Sequence, residues 1–88
     1  MEVQINNQNY FFSWKYIVAE NTKYGVRDMT ILEVKQQGKT VDKVPVIRRV
    51  NEPFVKENAR KATIKKLLSL WNVDKASRTD IWKQYFSR

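Results

Sequence analysis

The stretch YFFSWKYIV, Tyr10–Val18, puts an aromatic ring on every second residue: Tyr10, Phe12, Trp14 and Tyr16. A two-residue period is the mark of a strand, so these four rings share one face with Val18. Phe11, Ser13, Lys15, Ile17 and Ala19 share the other. Burying one aromatic side chain removes about 150–250 Å² from water, which at about 25 cal/mol/Å² is several kcal/mol. A chain of 88 residues has few such groups to leave in solvent. Phe12 and Trp14 are therefore assigned to the core. Tyr10 and Tyr16, nearer the strand ends, stay open as exposed stackers beside Lys15 or Lys35.

Working outward, Val3 and Ile5 alternate with polar residues, and NNQN (6–9) is a turn cluster, so a short strand precedes the aromatic one. ENTKYG (20–25) reads as a polar connection with Gly25 available for positive φ. RDMTILEVKQ (27–36) and TVDKVPVIRR (40–49) read as third and fourth strands around a hairpin turn at QGK (37–39). Pro45 cannot donate to a ladder, which places the fourth strand at a sheet edge or in a bulge. Connections this short predict an antiparallel meander.

The period changes at VNEPFV (50–55). Asn51 is a suitable N-cap, Pro53 suits a first helical turn, and Val50 with Val55 fits a hydrophobic staple. A helix is predicted over 52–71, with Ile64, Leu67, Leu68 and Trp71 as its apolar stripe. Ala59 and Ala62 fall off that stripe, so the helix either begins in solvent or packs on two sides. SRTD (77–80) has the shape of a capping box with Ser77 as N-cap. It opens a second helix whose Ile81, Trp82, Tyr85 and Phe86 form an amphipathic stripe that should dock. The predicted fold is α+β: a four-stranded antiparallel meander sheet followed by two C-terminal helices packed on one face. The chain reads as one domain, 1–88, with a β-sheet region (1–50) and a basic two-helix region (51–88).

Cysteine and histidine are both absent. That removes thiolate metal sites, thiol nucleophiles and the commonest general base. The nine acidic residues form no spacing diagnostic of a metal site or carboxylate dyad. Glu33 with Asp42 is the nearest pair, and beside Lys35 and Lys43 it reads as a surface cluster. No glycine-rich phosphate loop occurs. These absences argue against an enzyme, a metal site and a cofactor. The start of the chain lacks the basic and apolar regions of a signal peptide and no run is long enough to span a bilayer, so a cytoplasmic protein is expected.

The charge is placed unevenly. Residues 1–44 hold six Lys/Arg against five Asp/Glu, a net of +1, whereas residues 45–88 hold eleven against four, a net of +7. Such asymmetry points to a polyanion met by the second half. Arg48, Arg49, Arg60, Lys61, Lys65 and Lys66 are expected to form a basic surface where the last strand meets the first helix. TIKKLLSLWNV followed by SRTDIWKQYF also resembles the two halves of a helix-turn-helix, over roughly 63–86. The resemblance implies Arg78, Thr79 and Lys83 toward bases, with Lys65, Lys66 and Lys75 on phosphates. Asn72 stands where the motif's turn usually has glycine, and DKA lengthens the connection. Contact through phosphates alone needs no such motif. The glycine-rich aromatic signature of the RNA-recognition motif is missing, and the element order differs from it. The expected function is a small basic nucleic-acid-binding protein, for DNA rather than RNA and with duplex DNA as the expected partner, acting as a non-enzymatic regulator or accessory factor. The alternative is a protein-interaction module, an inhibitor or adaptor, docking an acidic surface through its C-terminal helices. Homodimerisation through the Pro45 strand or the last helix suits either.

Overall fold

The computed structural model describes residues 1–23 and 25–87, and for residues 20–22 the backbone alone. Four strands, β1 (Glu2–Ile5), β2 (Gln8–Thr22), β3 (Gly25–Gln36) and β4 (Lys39–Val50), form one antiparallel sheet in the order β1-β2-β3-β4. Two helices, α1 (Lys56–Leu70) and α2 (Lys75–Phe86), follow and lie against one face. This is the expected α+β meander with C-terminal helices.

Two of the turns explain the tight connections. Asn6 and Asn7 between β1 and β2, and Gln37 and Gly38 between β3 and β4, all take positive φ. Two consecutive left-handed residues make the type I′ turn whose twist matches paired strands. The β2–β3 hairpin closes where Thr22 pairs with Gly25, so strand replaces most of the expected 20–25 connection. Tyr24, part of that connection, lies outside the described residues. Gly25 has φ +99°, and a Cβ there would sit 2.5 Å from the carbonyl oxygen of Val50. Conformation and space both demand glycine.

The covered face of the sheet carries the core. Val3, Ile5, Phe12, Leu32, Val34 and Val44 meet Ile64, Leu67 and Leu68 of α1, Val73 of the connection, and Ile81 and Tyr85 of α2. Trp14 packs against this cluster and donates its Nε1–H to Thr63 Oγ1 at 3.0 Å. Tyr10 and Tyr16 also lie on the covered side and are not exposed stackers. Tyr10 meets Trp71 edge-on at 5.1 Å, and Tyr16 meets Phe54 at 5.8 Å. Lys15 and Lys35 point to the other face, because strand side chains alternate.

Both helix starts differ from the expectation. α1 begins at Lys56 after an extended Val55 (φ −122°, ψ 113°) with no side-chain cap, so Asn51 is not its N-cap and Val50 and Val55 do not staple it. β4 pairs through Val50 with Val26, and residues 51–55 are needed to cross from the sheet to the helix layer, with Phe54 settling on Tyr16. α2 begins at Lys75, with Asp74 as N-cap accepting from Ser77 N–H. Ser77 thus lies inside the first turn. The hydrogen bonding from Ser77 holds the Asp74 carboxyl below its ordinary range, against partial desolvation.

Asn72 does the work of the missing glycine. It takes φ +51° just past α1. Val73 N–H then reaches Leu68 O at 3.0 Å and Asn72 N–H reaches Ser69 O at 3.1 Å. That is the Schellman arrangement, with Val73 supplying its buried apolar contact.

A helix side chain reaches each edge of the sheet. Gln84 of α2 accepts from Gln4 N–H (2.8 Å) and donates to Gln4 O (3.0 Å) on β1. On the other edge, Pro45 of β4 offers no donor, and Lys66 of α1 donates to its carbonyl at 2.6 Å. Pro45 does lie in an edge strand, while the register break of β4 falls farther along, where Val34 pairs with Asp42 but Lys35 with Thr40.

Candidate nucleic-acid interface

α1 packs on two sides. Ala59, Thr63, Ile64, Leu67 and Leu68 are buried. Ala62 instead lines a groove of about 350 Å³ together with Lys61, Lys65, Trp82 and Phe86. The second helix explains the groove's other wall. Ile81 and Tyr85 turn into the core, while Trp82, half-buried against the edge of the core, and Phe86, exposed, follow one residue on in each case and line the groove. The latter two are four residues apart, so their rings meet on one helix face, stacked at 6.0 Å with 27° between planes. Phe86 is 61 % exposed. The Lys61 ammonium stands 5.0 Å from its ring centroid, a cation–π contact that links the two walls. Helical spacing puts Lys75 and Thr79 on the same side of α2 as Trp82 and Phe86.

The sequence-predicted residues divide into two groups. Lys65, Lys75 and Lys83 are exposed on the helix layer, and among the described residues none has a side-chain hydrogen bond or ion pair. With Lys61 they make the basic part of this surface. Arg60, Arg78, Thr79 and Lys66 make contacts within the fold. Arg60 lies 4.9 Å over the Trp14 ring and donates Nε–H to the Tyr16 hydroxyl. That hydrogen bond raises its pKa above the ordinary guanidinium value, against partial burial. Arg78 donates to Val73 O at 2.7 Å and Leu68 O at 3.2 Å, capping the end of α1. Thr79 Oγ1 donates back to Lys75 O at 3.2 Å. Lys66 is on the Pro45 carbonyl.

Arg48 and Arg49 do not share a surface. They are consecutive strand residues and point to opposite faces. Arg48 lies on the helix side, gripping the buried Asp28 carboxylate with two bonds of 3.2 and 3.3 Å. Arg49 lies exposed on the open face, opposite Arg27. Glu33 and Asp42 are separated in the same way. Glu33 is on the open face opposite Lys43, beside Lys35 at 3.4 Å and Lys15 at 4.0 Å. Partial desolvation raises its pKa, but the Lys35 hydrogen bond and the charges of Lys35, Lys15 and Lys43 outweigh this and hold it below the ordinary value. Asp42 faces the helices and accepts from Trp71 Nε1–H at 2.7 Å.

The groove's ring pair was hidden in the sequence because Ile81, Trp82, Tyr85 and Phe86 read as one docking stripe. The signal that divides them is the 100° step between neighbours, which lets only one of each adjacent pair reach the core. No helix among the described residues is long and apolar enough to cross a membrane. Comparison with protein families, curated proteins and solved structures returns no match to this chain.

Proposed function

We propose that this protein binds nucleic acid through its helix layer, as a non-enzymatic regulator or accessory factor, with DNA the expected polymer. The observation that carries the reading is the groove in which the stacked Trp82–Phe86 pair faces Lys61 and Lys65. Lysines supply sequence-independent attraction for phosphates. An exposed ring beside them offers a platform for an unpaired base, worth about 1–3 kcal/mol per stacked base. Rings interleaved with cations favour single strands over the duplex that a helix-turn-helix would read. Arg78 and Thr79, the residues that motif would turn toward bases, donate to backbone carbonyls instead. Phosphate contact through Lys61, Lys65, Lys75 and Lys83 is therefore the favoured mode.

The test is a titration of labelled single-stranded DNA, duplex DNA and RNA at two salt concentrations. Binding that weakens steeply with salt, tightest for a single strand, supports the reading. No binding to any of them at low salt refutes it.

A further inference from the structure

The face of the sheet away from the helices carries a second surface of different chemistry. The register places Ile17, Met29 and Ile47 side by side across β2, β3 and β4, with Lys15, Ile31 and Pro45 in the next row. Ile17 is 57 % and Ile47 63 % exposed. A row of aliphatic side chains uncovered on a small domain marks an interaction surface. On the other side of that row, Arg27 and Arg49 are direct cross-strand partners. Like charges placed opposite each other destabilise a sheet, and among the described residues neither arginine has an ion-pair partner. Ile17, Ala19, Arg27, Asp28, Met29 and Ile47 line a shallow pocket of about 270 Å³. Arg27 and the aliphatic row therefore bound one depression, with Arg49 next to Arg27 across the register, while the Asp28 carboxylate is turned to the helix side and held by Arg48.

We infer that this open face docks an acidic segment of a partner protein, with carboxylates on the Arg27–Arg49 pair and aliphatic side chains on Ile17, Met29 and Ile47. Charge decides between occupants. A second copy would bring the face's Lys15, Lys35, Lys43, Arg27 and Arg49 against the same five cations, with Glu33 already engaged by Lys15 and Lys35. A nucleic acid would find no ring in the Ile17 and Ile31 rows; the exposed Phe11 of this face pairs with Lys35 two rows beyond Ile31, outside the depression. Planar arginine forks match carboxylates in pairs, and aliphatic side chains match their own kind. This docking is independent of nucleic-acid binding at the helix groove.

The probe is a synthetic amphipathic helix of leucine and glutamate with its leucines at helical spacing, titrated into the isotopically labelled full chain and followed by NMR. The expected result is saturable binding that shifts the Ile17, Met29 and Ile47 methyl signals and leaves Trp82 and Phe86 unmoved. The double variant Arg27→Gln/Arg49→Gln should weaken it roughly tenfold, the combined loss of two exposed charge pairs. Ile47→Ser should weaken it by a similar factor through lost apolar burial. Both variants should keep the melting temperature and the oligonucleotide affinity, which separates this site from the groove. Equal binding of a glutamate-only peptide would overturn the inference, because charge alone would then suffice. So would absence of peptide binding, an oligonucleotide shifting the same methyl signals, or a concentration-dependent dimer abolished by Ile47→Ser.

Discussion

Arg48 and Arg49 are neighbours in the chain and opposites in the molecule. Arg48 is drawn under the helices to neutralise the buried Asp28, while Arg49 stands in water across from another arginine. The same contrast holds for the two surfaces as wholes. The helix side sets the Trp82–Phe86 rings beside Lys61 and Lys65, and the open side sets the Ile17–Met29–Ile47 row beside the Arg27–Arg49 pair. Ring faces and mobile ammonium groups suit bases and phosphates. Aliphatic rows with planar guanidinium groups suit a polypeptide. The positive charge of the composition is thus divided between two surfaces and four cations (Arg48, Arg60, Lys66 and Arg78) engaged within the fold.

The contrast is broken most severely from the covered side. Trp14→Ala should remove about 3–5 kcal/mol of stability by leaving a cavity between the sheet and α1. Chemical denaturation measures it, and a variant that keeps its midpoint but loses single-strand binding would reverse the role given to the aromatic row. Arg48→Ala should lose about 3 kcal/mol, because it strands a buried carboxylate. Arg49→Ala should change stability by no more than about 0.5 kcal/mol, and toward greater stability, since it relieves the repulsion from Arg27. Equal losses in the two variants would erase the distinction between the faces.

Phe86→Ala sharpens the comparison without touching the core. Affinity for a single strand should fall about 5- to 150-fold, the equivalent of one lost stacked base, while the melting temperature stays near that of the parent. The smallest expected effect belongs to the α2 cap. Asp74→Ala should lower the denaturation midpoint slightly, and Ser77→Ala should not, because the Asp74 carboxylate is the acceptor at the helix start. The Asp74 pKa is lowered in the folded chain. Its contribution is therefore complete above the unfolded carboxylate pKa and disappears as pH falls through the folded value. Acid should destabilise the parent in that window, and Asp74→Ala should lose that part of the pH dependence.

Much of this was legible in the residues. The alternation of Tyr10, Phe12, Trp14 and Tyr16 gave the long strand, and Asn6-Asn7 with Gln37-Gly38 gave the tight turns. Helix starts were not legible: Asn51 is a competent cap, but residues 51–55 are needed to span from sheet edge to helix layer, and Asp74 and Ser77 are both competent caps for α2, of which the structure uses Asp74. The groove was half legible: its lysines follow from the charge asymmetry, but the separation of Trp82 and Phe86 from Ile81 and Tyr85 depends on how deeply α2 sits against β1. The open face was the least legible. Ile17, Met29 and Ile47 lie far apart in sequence, and only the register between three strands sets them in one row. The contacts of the arginines were illegible for a related reason, because charge counting does not see that Arg60 and Arg78 complete backbone and ring contacts formed by tertiary packing.

The account rests on nucleic acid meeting the helix layer and not the sheet. The direct test measures single-stranded DNA affinity against salt for three proteins: the parent, Lys61→Gln/Lys65→Gln and Arg27→Gln/Arg49→Gln. Each phosphate contact on a single strand contributes about 0.7 to the slope of log affinity against log salt. The lysine variant should therefore flatten the slope by about 1.4, two contacts at that value, and the arginine variant should leave it unchanged. A slope that survives loss of the lysines and flattens on loss of the arginines would contradict the account.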